Sequence, residues 1–222
     1  YSKEMLEYCI RDAELTWRVA HYLEKEGKDF SQKSIRLEHN IRTIIDQQQK
    51  NGFAFKLREA IILLSQLEQE ERKLEGEAQE IFPPTEIQLK TKVKYIPFNI
   101  ASRKQIAERL QQKGWKPKQY TDKGNVIVNE KILNGINMPE AKMFSRFFLL
   151  QKRTGLLKAW IKQCEEDERV RGRVLTLKTI TGRMAHHSPN MAQVPAVYSP
   201  YGKECRDLWT IKNPDNYSLV GT

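Results

Sequence analysis

Thr179-Ile180-Thr181-Gly182-Arg183, followed shortly by Ser188-Pro189-Asn190-Met191-Ala192-Gln193-Val194-Pro195, is the stretch on which the reading of the chain turns. Gly182 has no Cβ and lets another backbone or a ligand approach closely. Arg183 carries a fork of donors, and Asn190 and Gln193 carry amides that both donate and accept. Such groups suit a duplex held without regard to its sequence. The minor groove presents acceptors at nearly the same place for every base pair, whereas the major groove differs from pair to pair. An arginine and two amides on a rigid support can therefore sense correct pairing without reading base identity. Each residue alone also has a plainer use: Arg183 in a surface ion pair, the two amides on loop backbone groups.

Bulk properties agree with a polyanionic partner. The 222 residues carry 38 Lys and Arg against 28 Asp and Glu, a formal charge of +10, and such an excess favours nucleic acid. A basic protein without such a partner has the same count. Hydrophobic residues at 39% and charged residues at 30% describe a polar but foldable chain. Cys9, Cys164 and Cys205 are far apart and odd in number, with no C-x-x-C spacing, which suits a reducing compartment and argues against structural zinc. No apolar run approaches the roughly 18 residues of a membrane span, and no signal peptide is visible. The first residue is not Met, and both ends read as cuts through a longer protein.

Upstream of the opening stretch the pattern is helical. Met5, Leu6, Cys9, Ile10, Ala13, Val19 and Tyr22 predict a helix over 3–26 that Gly27 ends. Ile35, Ile41, Ile44 and Ile45 predict a second helix over 32–50, stopped by Asn51-Gly52. Phe53-Ala54-Phe55 is a short extended entry to a third helix over 57–82, closed by Pro83-Pro84. One side of that helix is crowded with Glu68, Glu70, Glu71, Glu75 and Glu77, either a partner site or a solvated face. Leu89, Lys90, Thr91, Lys92, Val93, Lys94 and Tyr95 alternate as a basic strand or loop. Ser102-Arg103-Lys104-Gln105 has the form of a capping box opening a short helix to Gly114. A basic loop over 115–127 and a long helix from Pro139 toward Cys164 follow. Residues 170–181 are rich in Val, Leu, Ile and Thr and predict strand, and Tyr217 to Thr222 predict another. The fold class expected is α+β, mainly α: a helical arm followed by the beginning of a mixed α/β domain.

Taken together, T-x-T-G-R at 179–183 and P-N-x-x-Q-x-P at 189–195 resemble the signature of family A (DNA-polymerase-I-type) DNA polymerases. The likeness runs on through Tyr198-Ser199-Pro200-Tyr201-Gly202-Lys203-Glu204-Cys205-Arg206, which looks most like the replicative polymerases of short-tailed phages. Tyr8-Cys9-Ile10-Arg11-Asp12 is similar to the Y-x-x-x-D motif of 3′–5′ proofreading nucleases, with the phenol and carboxylate one helical turn apart, and Ala13 and Thr16 also fit. Lys50-Asn51-Gly52-Phe53 fits the family's N-G-hydrophobic turn, although Lys56 stands where an aspartate cap is common. Phe98-Asn99-Ile100-Ala101-Ser102-Arg103-Lys104-Gln105 resembles the thumb's F-N-x-x-S-R-x-Q block. Gly114-Trp115-Lys116-Pro117 and Tyr120-Thr121-Asp122-Lys123-Gly124 resemble the loop at the thumb tip. Gln151-Lys152-Arg153-Thr154-Gly155 resembles the junction of thumb and palm.

The resemblance implies three regions: 1–30 as the C-terminal piece of an exonuclease domain, 31–165 as the DNA-gripping thumb, and 166–222 as the start of a palm. It implies template-directed DNA synthesis with an associated 3′–5′ exonuclease in the cytoplasm of a bacterial or phage-infected cell. Primer–template DNA and dNTPs are the implied partners, with two Mg²⁺ ions whose ligands largely fall outside these residues. Tyr8 and Asp12 become remnants of the exonuclease site, Asp12 as a metal ligand. Thr181, Arg183, Asn190, Gln193, Lys152, Arg153, Asn99, Ser102, Arg103, Thr121 and Lys123 become DNA contacts. The first polymerase aspartate would follow Thr222 directly, so these residues alone should bind DNA without extending a primer. The segment between Glu75 and Phe98 is too short for the insertion that recruits a thioredoxin processivity factor in some phage relatives, so no such partner is expected. A non-catalytic basic helical module for nucleic acid and an interaction protein built on the acidic helix are the alternatives.

Overall fold

The structure is a computed structural model, which describes residues 2–88, 93–212 and 215–218. It divides into two compact units, one made of residues 1–51 and 174–185, the other of 52–173 and 186–222.

The first unit is built on α1 (Lys3–Glu26) and α2 (Gln32–Asn51). Ser2 caps α1 by accepting from the Met5 amide at 3.2 Å, with Glu4 in the first turn and Lys25 in the last, each sign placed to oppose the helix dipole. Gly27 ends the helix in a right-handed conformation, and the chain continues as a 3-10 turn to Asp29. No residue of α1 is buried. In α2, Ile45 is buried, and the Arg42 guanidinium donates to the Val174 carbonyl at 3.2 Å.

The second unit has a short antiparallel sheet at one end of two long helices. The order is β4 (Arg169–Val170), β1 (Phe53–Phe55), β7 (Trp209–Thr210), with Phe53 opposite Val170 and Phe55 opposite Trp209. Gly52 leads into β1 at φ +62, and a Cβ there would lie 2.8 Å from the Arg171 Cγ and 3.0 Å from the Val170 carbonyl. Only glycine meets both demands, which gives the N-G turn its physical reason. The chain continues into α3 (Leu57–Ile81), with no side-chain cap from Lys56. The ribbon β2 (Thr85–Gln88) and β3 (Val93–Ile96) follows, while Lys90 and Lys92 of the basic alternation lie outside the described residues. Next come α4 (Arg103–Gln112), α5 (Glu130–Asn134) and α6 (Pro139–Gln163). The short strands β5 (Arg173–Leu175) and β6 (Ala185–His187) and the helix α7 (Gly202–Asp207) complete the chain up to β7.

Two hydrophobic clusters lie along the α3–α6 pair. Near the sheet, Trp160 is fully buried against Phe55 (ring centres 6.3 Å) and Trp209 (5.2 Å), with Leu67, Leu157, Val170 and Cys205 around it. Toward the far end Phe82, Phe98 and Phe144 form a ring cluster at 4.8 to 5.8 Å, packed on Ile106, Leu110 and Leu133. Full burial of such side chains contributes about 1.5–3 kcal/mol each.

Several expectations need correction. The acidic side of α3 is neither a free partner site nor wholly solvated, because three of its carboxylates bind α6: Glu68 to Lys158 (2.8 Å), Glu70 to Arg146 (2.7 Å) and Glu71 to the Thr154 hydroxyl (2.8 Å). Within 170–181 only Val170, the last residue of β4, and Arg173–Leu175 are strand. Beyond that a turn closes, with the Gly182 amide donating to the Thr179 carbonyl at 3.0 Å and Gly182 at φ +73, so turn chemistry overrides β-propensity. Tyr217 and Ser218 form no strand, and 219–222 lie outside the described residues.

Candidate nucleic-acid interface

The block from Phe98 to Gln105 folds into a rigid helix start. Ser102 Oγ accepts from the Gln105 amide at 3.4 Å, one half of the expected capping box. The other half is redirected: Gln105 Oε1 accepts from the Asn99 amide at 2.7 Å. Asn99 Oδ1 accepts from the Ala101 amide at 2.9 Å, and the Asn99 carbonyl from the Ser102 amide at 2.9 Å. Asn99, Ser102 and Gln105 thus spend acceptor atoms on their own backbone, and both the structural and the phosphate-facing role fit this geometry. Arg103 is exposed, its guanidinium over the Phe148 ring at 5.7 Å, and it makes no ion pair among the described residues.

Thr121 and Lys123 sit in a tight turn. The Thr121 amide donates to the Asn125 carbonyl (2.8 Å), Thr121 Oγ1 accepts from the Asn125 amide (3.1 Å), and the Gly124 amide donates to the Thr121 carbonyl (2.8 Å). A bridge between Tyr120 and Val126 ties the base of this loop. Lys123 is exposed at the tip. Beside the loop runs a groove of about 530 Å³ lined by Lys116, Lys118 and Lys131, with Trp115 and the amides of Asn129 and Asn137, and with no carboxylate. None of the three lysines has an ion-pair partner among the described residues. The sequence reading found Lys116 and Lys118 but not Lys131 or α5. The available signal was Asn129, whose Oδ1 accepts from the Ile132 amide at 2.9 Å and caps α5.

The predicted contacts on α6 are already engaged. Lys152 pairs with Glu130 at 2.7 Å but stays largely exposed. Arg153 Nε donates to the Pro200 carbonyl (3.1 Å) and Nη2 to Ser199 Oγ (3.3 Å). In its packed position Arg153 organises a loop.

Asn190 caps a 3-10 turn at Met191–Gln193 by accepting from the Ala192 amide at 3.0 Å, which leaves its NH₂ group for another partner. Gln193 is exposed. Thr181 and Arg183 belong to the other compact unit. There Thr179 Oγ1 lies 3.2 Å from Thr181 Oγ1 and accepts from the Arg183 amide at 2.7 Å. The Arg183 side chain is exposed and has no hydrogen bond or ion pair among the described residues.

Tyr8 and Asp12 lie on exposed α1, with the Thr16 hydroxyl donating to the Asp12 carbonyl at 2.8 Å. Among the described residues no three His, Cys, Asp or Glu side chains come together to hold a metal ion. Asp12 therefore has no companion ligands among the described residues, and by itself it does not make a metal site.

Sequence reasoning missed one polar network. Arg146 Nε donates to Glu70 Oε1 at 2.7 Å, and Tyr201 donates its hydroxyl proton to Glu70 Oε2 at 2.6 Å. Arg146 Nη2 also donates to the Tyr201 oxygen. The Arg146 hydrogen bond holds the Glu70 carboxyl below its ordinary range, and burial pushes the Tyr201 phenol up. Burial likewise pushes the Cys205 thiol up to about 11, which makes it a packing residue and not a nucleophile.

Residues 63–221 match the sequence profile of DNA polymerase family A. Over 126 residues, 52% of this chain, the sequence is 39% identical to the DNA-directed DNA polymerase of Escherichia phage T7. It is 38% identical over the same length to that of Enterobacteria phage T3. Each alignment takes in 18% of the phage protein, so the match spans under a fifth of those relatives' length. Among solved structures, the POL domain of Pol1 from M. smegmatis, in complex with DNA primer-template and dNTP, superposes with a TM-score of 0.60. That likeness covers 74% of this chain and 28% of the other at 17% identity, and it is a likeness of fold.

Proposed function

This chain belongs to DNA polymerase family A, and from that premise we propose that it serves template-directed DNA synthesis as the part of the enzyme that holds primer–template DNA. Residues 31–165 are the thumb, 166–222 begin the palm, and 1–30 end a 3′–5′ exonuclease domain. The observation that carries the proposal is the F-N-x-x-S-R-x-Q block. It builds a helix start capped by Ser102, with the exposed Arg103 cation over the Phe148 ring, inside the segment that matches the family. The loop carrying Thr121 and Lys123 and the groove of Lys116, Lys118 and Lys131 add cations on a fixed frame. Phosphate contacts of this kind position a duplex without specifying its sequence.

Arg183, Asn190 and Gln193 are the minor-groove readers, with Thr181 beside Arg183. Each presents a donor without a partner among the described residues: the Arg183 guanidinium, the Asn190 NH₂ and the exposed Gln193 amide. Magnesium would supply the Lewis acidity for nucleotidyl transfer to a dNTP and for proofreading. Among the described residues no group of side chains assembles to hold such an ion. Tyr8 and Asp12 retain the spacing of the proofreading motif, and no thioredoxin partner is part of the proposal. No helix among the described residues is long and apolar enough to cross a membrane.

The test is Arg183→Ala in the full-length protein. Loss of a charged hydrogen bond in the groove should weaken primer–template binding about tenfold and single-strand binding much less. Equal losses on both substrates would remove the minor-groove role.

A further inference from the structure

The loop that follows the two amides is held far more firmly than a surface loop requires. Arg206 Nε donates to the Pro195 carbonyl at 2.7 Å, and Arg153 reaches both the Pro200 carbonyl and Ser199 Oγ. Tyr201 sits at φ +58, a left-handed conformation that a bulky residue keeps only where its surroundings impose it. Its side chain is held by Glu70 on α3 and Arg146 on α6, with the Arg146 guanidinium 5.0 Å from the Tyr201 ring centre. The next residue, Gly202, lies so close to the Ala196 carbonyl that a Cβ would fall 1.8 Å from that oxygen. At the upstream end a Cβ on Gly172 would fall 2.6 Å from Met191 Cγ and 3.0 Å from the Pro189 carbonyl. The segment bearing Asn190 and Gln193 is thus pinned on both sides.

Stability alone does not account for this arrangement. The Glu70 and Arg146 side chains are 33% and 38% exposed, and ion pairs at that exposure contribute little to folding. What two long helices clamping one tyrosine do supply is geometric precision at the loop. We propose that Glu70, Arg146 and Tyr201 are positioning residues that hold the Asn190–Gln193 loop in register with the DNA it contacts. The inference rests on the minor-groove role given above to those two amides. The clamp ties α3 and α6 to the loop, so a change in the packing of those helices is transmitted to the amides.

The experiment is a double-mutant cycle in the full-length protein, read as affinity for primer–template and for single-stranded DNA. Tyr201→Phe keeps the ring and removes both hydroxyl contacts. It should weaken primer–template binding about fivefold while single-strand binding holds, within the coupling range of contacting residues. In an Asn190→Ala/Gln193→Ala background the same change should cost nothing further, because the amides it positions are gone. Arg146→Lys, which keeps the cation but gives up the fork, should follow the same pattern and guards against a folding defect in Tyr201→Phe. If the losses multiply in the combined variant, or if Tyr201→Phe and Arg146→Lys both bind like wild type, the positioning role is overturned and the amide reading stands. If Asn190→Ala/Gln193→Ala itself binds primer–template as well as wild type, both are overturned.

Discussion

Gly202→Ala should be among the most damaging single methyl additions in the second unit. The added Cβ would lie 1.8 Å from the Ala196 carbonyl oxygen, 2.8 Å from its carbon and 2.7 Å from Ser199 Oγ. A backbone oxygen cannot swing aside as a flexible side chain can, so the turn from Ala196 to Gly202 must open. That turn is closed by the Ser199 amide on the Ala196 carbonyl (2.9 Å) and the Gly202 amide on the Ser199 carbonyl (2.8 Å). Overpacking costs about 1–3 kcal/mol, and each strained hydrogen bond adds about 1 kcal/mol. The expected loss is therefore about 3–5 kcal/mol. Gly76→Ala is the matched control, since Gly76 is exposed within the last turns of α3 and a methyl group added there would meet nothing within 4 Å. It should stabilise by about 0.8–1 kcal/mol through helix propensity alone. Urea unfolding followed by tryptophan fluorescence reads both, because Trp160 and Trp209 pack with Cys205 of α7. A Gly202→Ala loss below about 1 kcal/mol, or destabilisation by Gly76→Ala, would refute the close-packing argument.

Trp160→Ala should cost about 3–5 kcal/mol by emptying the space between Phe55 and Trp209. Trp160→Phe should cost about 1 kcal/mol or less, because it keeps a ring there and removes an indole N–H with no acceptor among the described residues; urea unfolding midpoints of the two variants check the ordering. Acid should loosen the α3–α6 pair slightly, because ion pairs at this exposure contribute little to folding. The carboxyls of Glu70 and Glu68 are held below their ordinary value of 4.5 by hydrogen bonds from Arg146 and Lys158. Their contribution is fully present above that value and lost as pH falls through the lowered ones. Unfolding midpoints measured from pH 6 downward should therefore fall below about pH 4.5, and Glu70→Gln should flatten that fall.

The sequence told most where chemistry is local. Pro139 at the start of α6, Ser102 at the start of α4 and Asn51-Gly52 before β1 each mark a boundary that the backbone obeys. The mainly helical α+β class followed from the apolar spacing of α1, α2, α3 and α6. It was less legible where partners are distant in the chain. Nothing near Glu70 announces Arg146 or Tyr201, which lie 76 and 131 residues away, so the acidic side of α3 read as a surface. The expected strand over 170–181 held only at Val170 and Arg173–Leu175, for the opposite reason: Gly172 and Gly182 bring a close approach and a turn that β-branched neighbours do not reveal. Among the candidate site residues, the family resemblance pointed to the cations Arg103, Lys123 and Arg183, all of them exposed. It did not show that Arg153 and Asn190 also serve the loop itself.

The proposed DNA-holding role rests on the exposed cations Arg103 and Lys123, each carried on a fixed frame. The most direct test is the salt dependence of primer–template affinity for the full-length protein and its Arg103→Ala/Lys123→Ala variant. Each lost phosphate contact should lower the slope of log affinity against log salt by about 0.9, so the variant should be shallower by about 1.8. An unchanged slope would mean that these side chains do not touch the DNA.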